Sequence, residues 1–332
     1  MTTRYGDAGI SPRTNVYAER QMLKHAMPVM VLEKLGLARQ MPKNKTETIS
    51  FRRPRTFTAA TTPLQEGVTP NSTAFSYDTV QTTLQQYGQV VEVTDKIEDL
   101  AEDPVLNDAS TQAGENIGRT MEALIWGVVR GGTNVIYANG AARGDVNTAI
   151  SITKHKAAVR ALKAQKAMKI TQILGSSPNY ATKAVEAAYV AVGHTDLESD
   201  IRNLPGFLPV AQYGQRSPIC EHEIGSVEDV RYILSPDLEP FAGAGAAVGS
   251  SGMLDTGGDV DVYPIIYCGR EAFGVVALRG QGAVSPTIIP VGQKTKDDPL
   301  GQRGYVGWKT WHASLILNQA WMARLECGAT AL

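Results

Sequence analysis

The chain has little of what chemistry at a site requires. Three cysteines, Cys220, Cys268 and Cys327, occur in 332 residues. They are far apart and odd in number, so neither zinc spacing nor a disulfide framework follows; they read as small apolar residues in a reducing cytosol. The five histidines, His25, His155, His194, His222 and His312, form no His-Glu-x-x-His arrangement. Cys220 and His222 stand two apart with no second half-site, which reads as a turn. The sequence holds no Gly-x-Ser-x-Gly elbow, and the glycine-rich run 243–249 lacks the Lys-Ser/Thr ending of a phosphate loop. Arg143-Gly144-Asp145 reads as a turn. No catalytic residue, metal or cofactor is expected. Long apolar runs are missing too: the longest uncharged stretch, 240–254, is short and mostly Gly, Ala and Ser, so no span of a membrane is expected. The start, Met1-Thr2-Thr3-Arg4, has no apolar run behind it and predicts no signal peptide. Excess charge is also absent. A net charge of −1 argues against a chain that grips nucleic acid with its whole surface.

What is present is an ordinary globular composition, 43% hydrophobic and 20% charged, with 32 glycines. Residues 1–15 are polar and predict a flexible arm. From Tyr17 to Leu37, Met22, Leu23, Met27, Met30, Val31 and Leu35 recur at helical spacing; Pro28 interrupts them and Gly36 is a stop. Residues 46–95 are rich in Thr, Val, Phe and Tyr and alternate at Ile49/Phe51 and Val91/Val93, around a polar stretch from Pro54 to Ala74. This predicts a long projecting two-stranded hairpin, a form that is marginal in water unless a neighbour holds it. Asp103 as cap and Pro104 in the first turn open a long helix to Arg130, with Ala109, Ala113, Ile117, Met121, Leu124, Ile125 and Val128 on one face. Gly114 and Gly118 share a face, which predicts close approach of another backbone. A helix over 154–169, a strand at 189–192, a mobile loop at 243–258, strands at 263–268 and 273–278, and terminal strands over 305–327 complete an α+β order.

Charge is distributed unevenly along the chain. Residues 1–55 hold eleven Lys and Arg against four Asp and Glu, whereas residues 56–110 hold one Lys against nine acids. Adjacent segments of opposite sign suit a head-to-tail contact between copies, with Arg52, Arg53 and Arg55 facing Glu66, Glu98, Asp99, Glu102 and Asp103 of the next. Pairing within one subunit is the alternative. The run Lys154, Lys156, Arg160, Lys163, Lys166, Lys169 contains no acid. It reads first as a solvated face or one paired with neighbours such as Glu198 and Asp200, and second as a lining in which Lys156, Arg160 and Lys163 face DNA.

The order of elements resembles the HK97-like major capsid proteins of tailed double-stranded-DNA phages, nearest to a podophage-type coat family. The segments that carry the resemblance are Thr61-Thr62-Pro63-Leu64-Gln65-Glu66-Gly67-Val68-Thr69-Pro70, Gln86-Tyr87-Gly88, Val93-Thr94-Asp95, Glu102-Asp103-Pro104-Val105-Leu106, Gly132-Thr133-Asn134-Val135, 194–206, 223–231 and Gly307-Trp308-Lys309. Their specificity lies in order and spacing together. The resemblance implies an N-terminal arm over 1–45, an extended loop over 46–95 that reaches a neighbour, a peripheral domain with its spine helix over 96–132, an axial domain over 133–290, and peripheral strands over 291–332. It implies hexamers and pentamers of this chain closed into an icosahedral shell in the virion, assembled in the host cytoplasm. The implied partners are a separate scaffolding protein, because the hairpin begins too early for a fused one, a portal protein, a decoration protein, and packaged DNA met by non-specific contact. An encapsulin-like nanocompartment shell is the alternative within this fold. An enzyme or a tail tube protein fits the residues less well.

Overall fold

The computed structural model describes residues 30–64, 66–67, 69–100, 105–174, 182–214, 216–249, 251–278, 287–294 and 298–332. The arm up to residue 29 and the Asp103–Pro104 cap lie outside them.

The described chain opens with α1 (Leu32–Leu35) and β1 (Leu37–Met41), followed by β2 (Thr48–Pro54), β3 (Tyr77–Thr83), β4 (Gln85–Thr94), α2 (Asp95–Leu100) and α3 (Val105–Val129). Next come β5 (Val135–Tyr137), α4 (Ile152–Ala164), β6 (Ile170–Leu174), β7 (Thr182–Gly193), α5 (Glu198–Arg202), β8 (Phe207–Pro209), β9 (Glu223–Val227) and β10 (Val230–Leu234). The remainder is strand: β11 (Asp255–Thr256), β12 (Asp259–Val260), β13 (Tyr263–Cys268), β14 (Phe273–Leu278), β15 (Thr287–Ile289), β16 (Arg303–Ile316) and β17 (Met322–Cys327).

Two sheets organise these elements. The larger has the order β5-β17-β13-β7-β10-β9-β8, with β6 also on β7; the smaller has the order β1-β14-β16-β15, with β4 also on β16. Strand β13, Tyr-Pro-Ile-Ile-Tyr-Cys, is buried along its whole length. A strand covered on both faces reads as a continuous apolar run, and its residues alternate between two cores. Ile265 and Tyr267, with Tyr232 and Leu325, pack under Ala158, Val159 and Leu162 of α4. Ile266 and Cys268, with Val190 and Ile233, pack under Ile125, Trp126 and Val129 of α3. Thus α3 and α4 cover opposite faces. The N-terminal half of α3 serves the smaller sheet, where Ala113 packs with Val306 and Trp308 of β16.

Several expectations change. Residues 37–41 were assigned to the arm, but they pair in parallel with β14. Gly36 stops α1 by close approach: a Cβ there would stand 2.7 Å from Phe273 Cε2. The hairpin is β2 with β3; β4 leaves it to pair with β16 from Thr94↔Arg303 to Gln85↔His312. A Cβ on Gly114 would meet nothing within 4 Å, so among the described residues no backbone approaches there. The loop 243–258 is laced rather than free: Gly245 and Val248 donate to the carbonyls of Val260 and Gly258 at 2.9 Å, and Val260 donates to Ala246. The sheets do not divide at residue 290. Strand β14 lies in the smaller sheet with β16, and β17 lies in the larger with β13 and β5.

Candidate assembly surfaces

The hairpin presents a cluster of exposed apolar side chains. Its ladder runs from Thr48↔Thr83 to Pro54↔Tyr77. Ile49, Phe51 and Val80 at its base pack on a small core of Met41, Leu84, Val276 and Leu315. Beyond the ladder the described residues of the segment 55–76 contain no regular element. Phe57, Leu64, Phe75 and Tyr77 are 58, 76, 56 and 46% exposed. Phe75 stacks edge-on against Tyr77 at 4.8 Å and lies 5.9 Å from Phe57. Isolated exposed apolar residues are normal, whereas a cluster at the end of a projecting element marks a contact surface.

The arginines of this hairpin have partners in their own subunit. The strand register sets Arg53 opposite Asp78, whose carboxylate accepts from Arg55 Nε at 2.6 Å and from Arg53 Nη2 at 3.3 Å. The hydrogen bond from Arg55, then that from Arg53, holds Asp78 below the usual carboxylate range. Arg52 lies 4.5 Å from the Tyr77 ring centroid, where a guanidinium is attracted by the π face. Of the acids expected opposite, Glu66 is exposed in the hairpin connection, and Glu98 and Asp99 are exposed on α2. Glu102 and Asp103 lie outside the described residues. A cleft of about 280 Å³ opens between the hairpin base and the body, lined by Phe51, Arg52, Asp78, Leu317, Asn318 and Trp321 among others.

The basic run is α4 and the turn after it. Ser151 caps the helix by accepting from the Lys154 amide, and Lys166 ends it in left-handed backbone, φ 54°. Lys156 pairs with Glu228 at 3.3 Å, and Lys163 and Lys169 close on Asp229 at 2.7 and 3.1 Å. Asp229 is held low by Lys163 and then Lys169. Both acids belong to the turn between β9 and β10. The expected partners are occupied elsewhere: Glu198 pairs with Arg202, and Asp200 accepts from the amide and hydroxyl of Thr330. Two of the three candidate DNA-facing residues are therefore neutralised. Arg160 is exposed at the same helix.

Buried polar groups stand elsewhere. Glu326, fully buried, takes two hydrogen bonds of 2.8 Å from Arg143 and an ion pair at 2.8 Å from Arg324. The Arg143 guanidinium also lies 3.6 Å from the Phe241 ring centroid. Asp145 caps the turn by accepting from the amides of Ala141 and Ala142 at 3.0 Å. The Arg-Gly-Asp tripeptide is thus a structural turn, with its arginine turned inward. His155 joins the hydroxyls of Tyr232 and Tyr267 at 2.6 and 3.2 Å. Burial pushes both His155 and His312 down to about 4. Burial raises all three cysteine thiols, the opposite of what a reactive thiolate needs. Among the described residues no group of three His, Cys, Asp or Glu is arranged to hold a metal, and no helix is long and apolar enough to cross a membrane.

Glu122 escaped the sequence reading. It is 1% exposed on α3 and accepts from the amides of Val31 and Leu32. Its signal was one acid in the stripe Gly118, Glu122, Ile125, Val129, all buried.

A two-sheet α+β body with a long helix and a projecting, apolar-tipped hairpin is a subunit built for contact with other molecules. The phage capsid protein family model matches residues 77–325, and the chain belongs to that family of structural proteins. A curated relative, the major capsid protein of Pseudomonas phage KPP21, is 26% identical over 129 residues; the match spans 37% of this chain and 32% of that protein's length. Among solved structures, the capsid of Ralstonia phage GP4 superposes with a TM-score of 0.67 at 14% identity, covering 99% of both chains. The capsid of Cyanophage Pam1 gives 0.64 at 12% identity, covering 98% of this chain and 100% of the other. The fold is that of phage capsid subunits, in keeping with the HK97-like expectation. The matches do not favour the nanocompartment alternative.

Proposed function

We propose that this chain is the major capsid protein of a tailed double-stranded-DNA phage, assembling as hexamers and pentamers into an icosahedral shell in the host cytoplasm. The observation that carries this reading is the β2–β3 hairpin, whose exposed apolar tip needs a surface from another subunit, on a fold shared with phage capsids. The smaller sheet with α3 acts as the peripheral domain and the larger sheet with α4 as the axial domain. The hairpin reaches over a neighbour and contributes Arg52 and Glu66, while α2 contributes Glu98 and Asp99. Since Arg53 and Arg55 share Asp78, they deliver less charge to that contact than their number suggests. Exposed pairs fix register and add only ~0–1 kcal/mol each; apolar burial supplies the affinity. A separate scaffolding protein, a portal and a decoration protein complete assembly. DNA is met loosely, with Arg160 the best-placed cation of its helix because Lys156 and Lys163 are paired.

Negative-stain electron microscopy with sedimentation tests this on the chain alone and co-expressed with its neighbouring genes. Closed shells, or hexamers and pentamers, are expected. A monomer that never assembles under either condition overturns the reading.

A further inference from the structure

Glu122 solves a problem posed by α1. The first amides of a helix have no partner within it, and Val31, at the cap position, supplies no side-chain bond. Glu122, 90 residues away, supplies the acceptor. Its Oε1 accepts from Val31 N and Leu32 N, both at 3.0 Å, and its Oε2 accepts from Leu32 N at 3.3 Å. Around this joint the contacts are apolar: Val31, Leu32 and Leu35 pack with Ile125, Trp126 and Val129. Those contacts are indifferent to pH. Glu122 is not.

Among the described residues, the charged groups acting on it come from two segments. Glu33 lies on α1, and Asp237 lies on the segment after β10; both oppose its ionisation. Lys34 on α1 acts on Glu33 and on Cys220. Two further carboxyls, on exposed Glu33 and half-buried Asp237, thus act on one buried carboxyl. We propose that Glu122 is a proton-operated fastener, holding α1 on α3 more firmly when its carboxyl is protonated than when it is ionised.

The direction follows from burial. A neutral carboxyl keeps a carbonyl oxygen to accept from both amides, but it escapes the cost of a charge removed from water. Burial, the largest cause, raises the docked group from 4.5 to about 7. When α1 detaches, the group returns towards its ordinary value. The docked state therefore holds the proton where the detached state has lost it. Docking is firmest below the ordinary value, weakens about tenfold per pH unit as pH rises towards the docked value, and levels off above it. The whole change is on the order of 10²-fold.

Hydrogen exchange on the purified full-length chain from pH 4.5 to 8, corrected for intrinsic rates, tests this. Protection of the Val31 and Leu32 amides, which Glu122 holds, is expected to fall on the order of 10²-fold and then flatten, while the α4 amides follow their own course. E122Q keeps the accepting oxygen without the titration and is expected to remain protected across the range. E122A, lacking the acceptor, is expected to expose the segment at every pH. A wild-type profile that is flat or rises with pH, or an E122Q profile with the wild-type slope, overturns the proposal.

Discussion

The hairpin tip permits a quantitative test of the shell reading. Phe57 and Phe75 are 58 and 56% exposed, and among the described residues their ring contacts are each other and Tyr77. An aromatic side chain covers roughly 150–250 Å², so each leaves about 100 Å² open to a partner. At ~25 cal/mol per Å², full coverage of both would contribute about 5 kcal/mol. Allowing half of that for incomplete coverage and ordering leaves about 2.5 kcal/mol, roughly 70-fold in the association constant of each contact. The double variant F57S/F75S should therefore raise the concentration at which shells form by about that factor, read by light scattering and sedimentation over a dilution series. Stability of the free subunit in urea should change little, because these rings cover none of its core. A threshold within threefold of the wild type, at unchanged subunit stability, would refute the reasoning.

Other perturbations address the body. E326Q leaves Arg143 and Arg324 facing a neutral group in a buried cluster, and should cost about 3–5 kcal/mol in urea unfolding; a loss under about 1 kcal/mol would show that the charge is dispensable. His155 and His312 are held down to about 4 by burial. Their neutral forms therefore stabilise the fold fully above the ordinary histidine value of 6.5, and that stability is lost as pH falls from there through about 4, by up to about 3 kcal/mol for each ring. Urea midpoints between pH 7 and 4 should show this slope, reduced in H312L; an equal slope in H312L would contradict it. Gly114 faces open space on α3, so G114A should raise the thermal midpoint, with a gain of about 1 kcal/mol. A loss would mean that another element covers that face.

Local patterns were legible where one segment sees one environment. The strands at 263–268 and 273–278 match β13 and β14 residue for residue, because a buried strand needs an unbroken apolar run bounded by turns. The span of helix α3 was legible from its helical spacing, but its buried face was not: of the seven stripe residues only Ala113 and Ile125 are buried, and Gly118, Glu122, Trp126 and Val129 complete that face. Partners were not legible. Arg53 and Asp78 meet because a 22-residue connection returns β3 in one particular register. The lysines of α4 meet Glu228 and Asp229 through a turn more than 55 residues away, while the acids first matched to them are used by Arg202 and Thr330. Composition assigns sign to a segment, but only the pairing of strands decides whether that charge reaches the surface uncompensated. The same limit hid Glu122, whose function depends on a backbone contact far away in sequence.

Strand pairing across the expected boundary at residue 290 was hidden for a related reason, and it has mechanical content. Strand β13 runs antiparallel to β17 in the larger sheet, ending at Cys268↔Met322. Strand β14 runs antiparallel to β16 in the smaller one, beginning at Phe273↔Ile316. The two short crossings between them are bonded to each other. Gly269 donates to the Trp321 carbonyl at 2.9 Å, and Leu317 and Asn318 donate to the Ala272 carbonyl at 2.9 and 3.1 Å. One two-stranded ribbon therefore passes through both sheets without a break. Separating the sheets would strip buried backbone groups of their partners, which costs about 1–3 kcal/mol for each group left unsatisfied. Twisting the ribbon at its crossing leaves those bonds in place. The ribbon thus ties the two sheets through residues 269–272 and 317–321, and the apolar-tipped hairpin packs on the smaller of them through Ile49, Phe51 and Val80.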